Sequence, residues 1–193
     1  MPWSKQFDVD QTLDKAMRLF WARGFEATSM QDLVQGMGIN RASIYGTYGD
    51  KRELFIAALN RYDTNYRKAQ LAALEREHSP KAAIGTLFRG WIDRVMSDCE
   101  SNGCFLTNTA LELAAHDEDI RTIVSESQRD IERFFRRLIR KGQQAGEFST
   151  RLSAPKMAQS LLAALIGLLV LSRSRPDRNL LKSVADGAMA TLA

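Results

Sequence analysis

Apolar residues recur at three- and four-residue spacing along almost the whole chain, the signature of amphipathic helix. Leu13, Ala16, Met17 and Phe20 form a first stripe that stops at Gly24. Leu33, Val34 and Met37 form a second, closed by Gly38, and Ile39 with Ile44 anchor a third short helix over Arg41 to Tyr48. A long helix is predicted from Glu53 to about Glu77, with Leu54, Ala57, Ala58, Tyr62 and Tyr66 on one side. Further helices are predicted over 81–98, 104–115, 117–144, 154–173 and 177–191. Pro80, Pro155 and Pro176 stand near three of their starts, where the first helical turn tolerates proline. No segment reads convincingly as strand, so the expected fold is all-α.

The polar residues between these stripes sharpen the picture around residues 28–55. Thr28, with Gln31 three residues on, predicts a capping box, because the two side chains can satisfy backbone donors left over at a helix start. Gly38 supplies the positive φ that ends that helix cheaply. Asn40 caps the next helix, and Asp50 with Glu53 caps the one after. Two short helices joined by a glycine turn make a helix-turn-helix, the unit that docks one helix into the DNA major groove.

The second short helix has the composition for that task. Its outward positions carry Arg41, Ser43, Tyr45 and Thr47; arginine can donate two hydrogen bonds to a guanine edge, and hydroxyls serve several bases or phosphates. Gly46 costs a helix roughly 1 kcal/mol relative to alanine, which suggests close backbone approach to something. Lys51 falls in a first helical turn, where the macrodipole disfavours a cation unless an anion such as phosphate joins it.

At these positions the chain resembles the DNA-binding domain of the TetR family of bacterial transcriptional regulators. The matching elements are Gly24-Phe25, Thr28-Ser29, Leu33-Val34, Gly38-Ile39, Ile44-Tyr45 with Tyr48, and Lys51 with Leu54. Tyr48 replaces a more usual phenylalanine, and Gly46-Thr47 replaces more typical aromatic or histidine positions. The resemblance implies phosphate contacts from Thr28, Tyr45 and Lys51, and groove contacts from Arg41, Ser43 and Thr47. Ser29, Ala42, Gly46 and Tyr48 complete the expected DNA-facing set. It also implies a head over residues 1–50 and a helical effector-binding and dimerisation domain over 51–193.

Charge adds less than it promises. The net charge of +4 invites a nucleic-acid reading, yet residues 1–60 carry seven basic and seven acidic side chains. The excess lies in residues 61–193, so placement rather than bulk charge must mark the DNA-facing half. Asp8, Asp10 and Asp14 suit the positive end of the first helix.

The last two helices suggest self-association. Residues 154–173 are apolar nearly all round, as expected of a helix buried on more than one side. Leu161, Leu165, Leu168, Leu169, Leu181, Val184 and Ala188 are the expected homodimer interface, packing as a four-helix bundle across a two-fold axis; an intramolecular core is the alternative. The family resemblance favours the dimer. It likewise implies a pocket for a small-molecule effector, with candidate lining from Phe88, Trp91, Ile92, Val95, Met96, Phe105, Asn108, Leu111, Glu112, Phe134, Leu138 and Leu165. Asn108 and Glu112 form a polar pair one turn apart on an otherwise apolar helix.

Other chemistry finds little support. Two histidines and two cysteines give no zinc spacing, and no Gly-x-Ser-x-Gly or phosphate-cradling loop occurs. No catalytic residues, metal or cofactor are expected. Asp117, in the acidic run after His116, reads as a helix cap. Cys99 and Cys104 flank a four-residue turn and offer a redox trigger as an alternative to a bound effector. No uninterrupted apolar run reaches the ~18 residues of a membrane span, and no secretory signal precedes the first helix; a cytoplasmic protein is expected. The reading is a regulator, most often in this family a repressor released from a palindromic operator by its effector. A helical small-molecule-binding protein without DNA function is the rival from a different class.

Overall fold

The computed structural model describes residues 7–97 and 102–193. Its described elements are helical throughout: α1 (Val9–Arg23), α2 (Met30–Met37), α3 (Arg41–Tyr48), α4 (Lys51–Tyr62), a π-helical stretch (Asp63–Lys68), α5 (Ala69–Glu77), α6 (Pro80–Ser97), α7 (Phe105–Glu112), α8 (Glu118–Gln144), α9 (Ala154–Ser174) and α10 (Arg178–Ala190). α1 to α4 build the N-terminal head. The longer helices α6, α8, α9 and α10 pack into a second layer system that α5 and α7 join.

Local chemistry explains most boundaries. Asp8 caps α1 by accepting from the backbone N–H groups of Asp10 and Gln11. Asn40 caps α3 through Ser43, and Asp50 forms a reciprocal capping box with Glu53 at α4. Gly38 ends α2 in the left-handed region at φ 73°. The cap of α2 differs from the expectation by one residue. Ser29 forms the capping box, with Asp32 rather than Gln31 as its partner. Thr28 is fully buried and its hydroxyl donates to the Gly24 carbonyl at 2.6 Å. Aspartate at the third helical position outcompetes glutamine because its charge also meets Arg23, at 2.7 Å.

α4, the π-helical stretch and α5 form one continuous rod linking head to body. Leu54, Phe55 and Leu59 of α4 are buried, with Phe55 edge-on to Phe20 of α1 at 5.0 Å. Its first turns therefore belong to the head core. Arg61 clamps the same pair of helices, donating to Asp14 at 2.6 Å and Asp10 at 2.7 Å. The guanidinium beside Asp14 holds that carboxyl below its ordinary range.

α9 bears on two expectations. Leu161, Leu165, Leu168 and Leu169 are buried within the chain, as are Leu181 and Ala188 of α10. They form an intramolecular core against α8 and α6, and of the expected interface set Val184 alone keeps partial exposure. A helix that is apolar on every side gives no pattern from which its inner face can be chosen. α9 also has the length and mean hydropathy (1.7) of a membrane span, although its continuous apolar run is shorter. It sits as the central helix of the body, with 39% of its most apolar window buried.

Candidate nucleic-acid interface and ligand cavity

The head presents α3 as its free helix. Ile44 is fully buried and fixes the inner side; Arg41, Ala42, Tyr45 and Gly46 are exposed, with Ser43 and Thr47 half-buried beside them. Tyr45 is 45% exposed, a high value for an aromatic side chain. The Arg41 guanidinium lies 5.7 Å from its ring centre and also donates to its hydroxyl at 3.4 Å. A Cβ added to Gly46 would meet nothing within 4 Å among the described residues, so none of them needs the closeness that glycine permits there. Ser29 is exposed at the start of α2. Lys51, half-buried, holds its ammonium 4.2 Å from the Phe25 ring centre at the start of α4.

Two members of the expected DNA-facing set turn inward. Thr28 has no exposed surface, as described above. The Tyr48 hydroxyl lies 2.5 Å from the Thr12 hydroxyl and donates to the Val9 carbonyl at 2.7 Å. Burial raises its pKa. Tyr48 therefore pins the end of α3 to α1 and sets the angle at which the helix projects.

The body contains a cavity of about 250 Å³. Its wall includes Tyr62, Tyr66 and Arg67 from the linking rod, Leu87, Trp91 and Arg94 from α6, Cys104 before α7, Ile131 from α8, and Leu165 and Leu169 from α9. Of the twelve expected lining residues, Trp91 and Leu165 are there. Phe88 and Ile92 face a separate cleft against α10, and Val95, Phe105, Phe134 and Leu138 are core. Met96 is half-buried against that core. Asn108, Leu111 and Glu112 line an open groove between α7, α9 and the end of α1, where Leu111 is 73% exposed. They sit outside the cavity, Glu112 bonded to the head at Glu26 and Asn108 to the Asn102 carbonyl.

The sequence reading missed Arg67, Arg94, Leu87 and Ile131. The one available signal for Arg67 was its i,i+4 spacing from Asp63, an ion pair that the π-helical stretch closes inside the protein. Its Nη2 also donates to Asp130 at 3.0 Å. Burial works against the charged form of Arg67, but the bonds to Asp63 and Asp130 prevail and raise its pKa. Tyr62 donates to the Cys104 sulfur at 3.7 Å, and burial drives its own pKa well up. Cys104 is buried; Cys99, the other half of the expected redox pair, lies outside the described residues.

Head and body touch along one segment. Trp21 of α1 donates from Nε1 to the Gly103 carbonyl at 2.9 Å. Glu112 accepts from the backbone N–H of Glu26 at 3.0 Å. Arg52 binds Asp117 through two bonds, at 2.6 and 2.8 Å, and Asp119 at 2.7 Å. Asp117 caps α8 as expected, through the Ile120 N–H; the Arg52 guanidinium, aided by that cap, holds its carboxyl down at about 2. Between these links an aromatic series runs from Phe20 through Phe55 and Phe105 to Tyr62, with successive ring centres 5.0, 5.4 and 5.7 Å apart. The head core thus adjoins the cavity wall.

A projecting helix on a compact head, joined by a rigid rod to a cavity-bearing helical body, defines a DNA-binding regulator of the helix-turn-helix type. The signature described as "Bacterial regulatory proteins, tetR family" matches residues 13–58, and "Tetracyclin repressor-like, C-terminal domain" matches residues 80–187. The chain belongs to the TetR family and is a DNA-binding transcriptional regulator. It is 30% identical over 182 residues to the HTH-type transcriptional repressor ComR of Escherichia coli (strain K12), covering 94% of this chain and 87% of that one. It is 29% identical over 192 residues to the uncharacterized HTH-type regulator YezE of Bacillus subtilis (strain 168), covering 98% of each. Among solved structures, a cysteine mutant of the TetR family regulator CifR in complex with 26-bp double-stranded operator DNA superposes with a TM-score of 0.85. It is 28% identical and covers 98% of this chain and 99% of that one.

Proposed function

We propose that this protein is a homodimeric repressor that binds a two-fold operator through α3 and releases it when a small molecule occupies the cavity under Trp91. The exposed face of α3 carries the reading: among the described residues, Arg41, Tyr45 and Gly46 project with no partner side chain beyond each other. Ser29 and Lys51 stand at the two helix starts that flank it, where backbone N–H groups and dipoles favour phosphate. ComR is named as a repressor, and CifR is described on operator DNA; both lend this chain the same role.

The homodimer rests on α9. It is apolar enough to span a membrane, yet several of its apolar residues are only half-buried by its own chain. Ala163 is exposed and Gly167 and Val170 are half-buried on one side of the helix, and Ser183 and Gly187 of α10 are exposed. Small residues there let a second hairpin approach closely, and two α3 helices joined this way gain affinity over one.

Coupling follows from the linking rod. Tyr62 and Tyr66 wall the cavity while Phe55, on the same rod, sits in the head core. A ligand that shifts the rod tilts the head and moves the α3 pair off the spacing of about 34–36 Å between successive major grooves. The experiment is selection of bound duplexes from a random pool, followed by a metabolite screen for release of the selected site. A palindromic site released by a compound that protects the cavity supports the reading; recovery of only unsymmetrical, sequence-independent binding overturns it.

A further inference from the structure

Among the described residues, Arg67 Nη1 is the buried side-chain nitrogen with no hydrogen-bond partner. The side chain is 8% exposed. Its Nε is taken by Asp63 and its Nη2 by Asp130, so the fork is held rigidly with one arm unused. Arg67 lines both the 250 Å³ cavity and a small extension of about 30 Å³ that Cys104, Ile131, Leu165 and Leu169 share with it. The residue with the unused arm thus stands at the place where a ligand would sit.

The charge around it is one-sided. Arg67 and Arg94 line the cavity, and among the described residues no aspartate or glutamate lines either it or its extension. The two acids behind Arg67 are themselves shared, Asp63 with Lys68 at 3.0 Å and Asp130 with Arg133. A buried guanidinium with free N–H groups calls for an acceptor, and an ionised oxygen bonds it more strongly than a neutral one. The rest of the wall is mainly apolar or aromatic, Leu87, Trp91, Ile131, Leu165 and Leu169 with Tyr62, and Asn65 and Gln70 add uncharged polar groups. Arg94 stacks on Trp91 with its guanidinium 4.8 Å from the ring centre, which keeps a second cation beside that aromatic face.

Building on the proposed effector role of this cavity, we infer that it takes a small organic carboxylate. The carboxylate accepts from Arg67 Nη1, and an aromatic or similarly flat apolar body lies among Trp91, Leu165 and Leu169. The π-helical stretch is what turns Arg67 inward, and such stretches inside helices frequently occur at functional sites. Occupancy would engage the linking rod at Arg67, next to Tyr66 and one π-helical turn from Tyr62, and so act on the element that joins body to head.

The test is calorimetric titration of the full-length protein with matched pairs, benzoate against benzamide and indole-3-acetate against indole-3-acetamide. Each pair keeps its shape and changes only its charge. A carboxylate of the series is expected to bind at least tenfold more tightly than its amide. Arg67→Gln is expected to erase that ratio. Because that change strips Asp63 and Asp130 of their partner and can unfold the protein, Arg94→Gln, at an exposed position, provides the second variant and is expected to lower the ratio. Failure of every carboxylate to bind, equal binding of the amides, or a ratio untouched by Arg94→Gln and by a folded Arg67→Gln overturns the inference. Amides that release the selected operator as well as the carboxylates do would overturn the carboxylate assignment and leave the effector cavity standing. Tight carboxylate binding without any change in operator affinity would keep the anion site and overturn the effector role.

Discussion

The carboxylate of Glu112, on the last turn of α7, accepts from the backbone N–H of Glu26 at 3.0 Å, tying body to head across the turn between α1 and α2. Gly24 makes room for it: a Cβ there would lie 2.8 Å from the Glu112 carboxylate. The bond is exposed, so Glu112→Ala is expected to cost under about 1 kcal/mol of stability. Its effect should instead be local. Hydrogen exchange at the Gly24–Thr28 turn is expected to accelerate in the variant while the α1 core stays protected. An unchanged rate at Glu26 would contradict the link.

Arg52 and Asp117 provide a second tie, and its dependence on pH follows from the shift at Asp117. A carboxyl lowered from its ordinary 3.8 to about 2 contributes stability in full above that ordinary value, and loses it as pH falls through about 2. Asp117→Asn keeps a side chain able to cap α8 but ends the ion pair. Acid titration followed by circular dichroism should therefore show a flatter pH dependence between about 4 and 2 in the variant. Parallel curves for the two proteins would remove Asp117 from the account.

Gly46 separates folding from binding. Nothing among the described residues approaches its missing Cβ, so Gly46→Ala is expected to stabilise the head by roughly 0.5–1 kcal/mol through helix propensity. If DNA backbone occupies the open space, the same methyl group lowers operator affinity. A higher melting temperature with weaker operator binding is the expected pair of results. Unchanged binding would show that the glycine faces solvent in the complex as well.

The two sides of α9 are expected to respond differently. Leu161→Ala removes a fully buried side chain and should cost about 2–5 kcal/mol. Gly167→Arg lies on the uncovered side and should leave the protomer folded while shifting sedimentation from dimer to monomer. A Gly167→Arg protein that remains dimeric would move the interface elsewhere.

Much of the head was legible because short-range chemistry decides it. Asn40, Asp50 and Gly38 act on backbone groups within four residues of themselves, and Ile44 is the buried anchor that its spacing implies. What remained illegible depends on contacts made across the fold. Nothing local distinguishes Leu161, turned inward, from Ala163, turned outward, on a helix apolar all round. Asn108 and Glu112 read as a ligand-orienting pair, yet Glu112 bonds the head at Glu26 and Asn108 donates to the Asn102 carbonyl. Thr28 and Ser29 are equally good caps in sequence; Asp32 decided between them through Arg23. Arg67 was passed over because a charged residue on a linking helix is ordinarily solvated, and only the π-helical stretch carries it inside.

The central claim is that α3 reads DNA as one of a symmetric pair. The most direct measurement is fluorescence-anisotropy titration of the selected operator, comparing the two-fold site, an isolated half-site and a scrambled duplex across a salt series. Wild-type protein is expected to prefer the two-fold site, with affinity falling steeply as salt rises because several phosphates are neutralised. Arg41→Ala and Tyr45→Ala should reduce that preference while leaving the protein folded and dimeric. Equal affinity for all three duplexes at low salt, or full retention of the preference in both variants, would contradict the account.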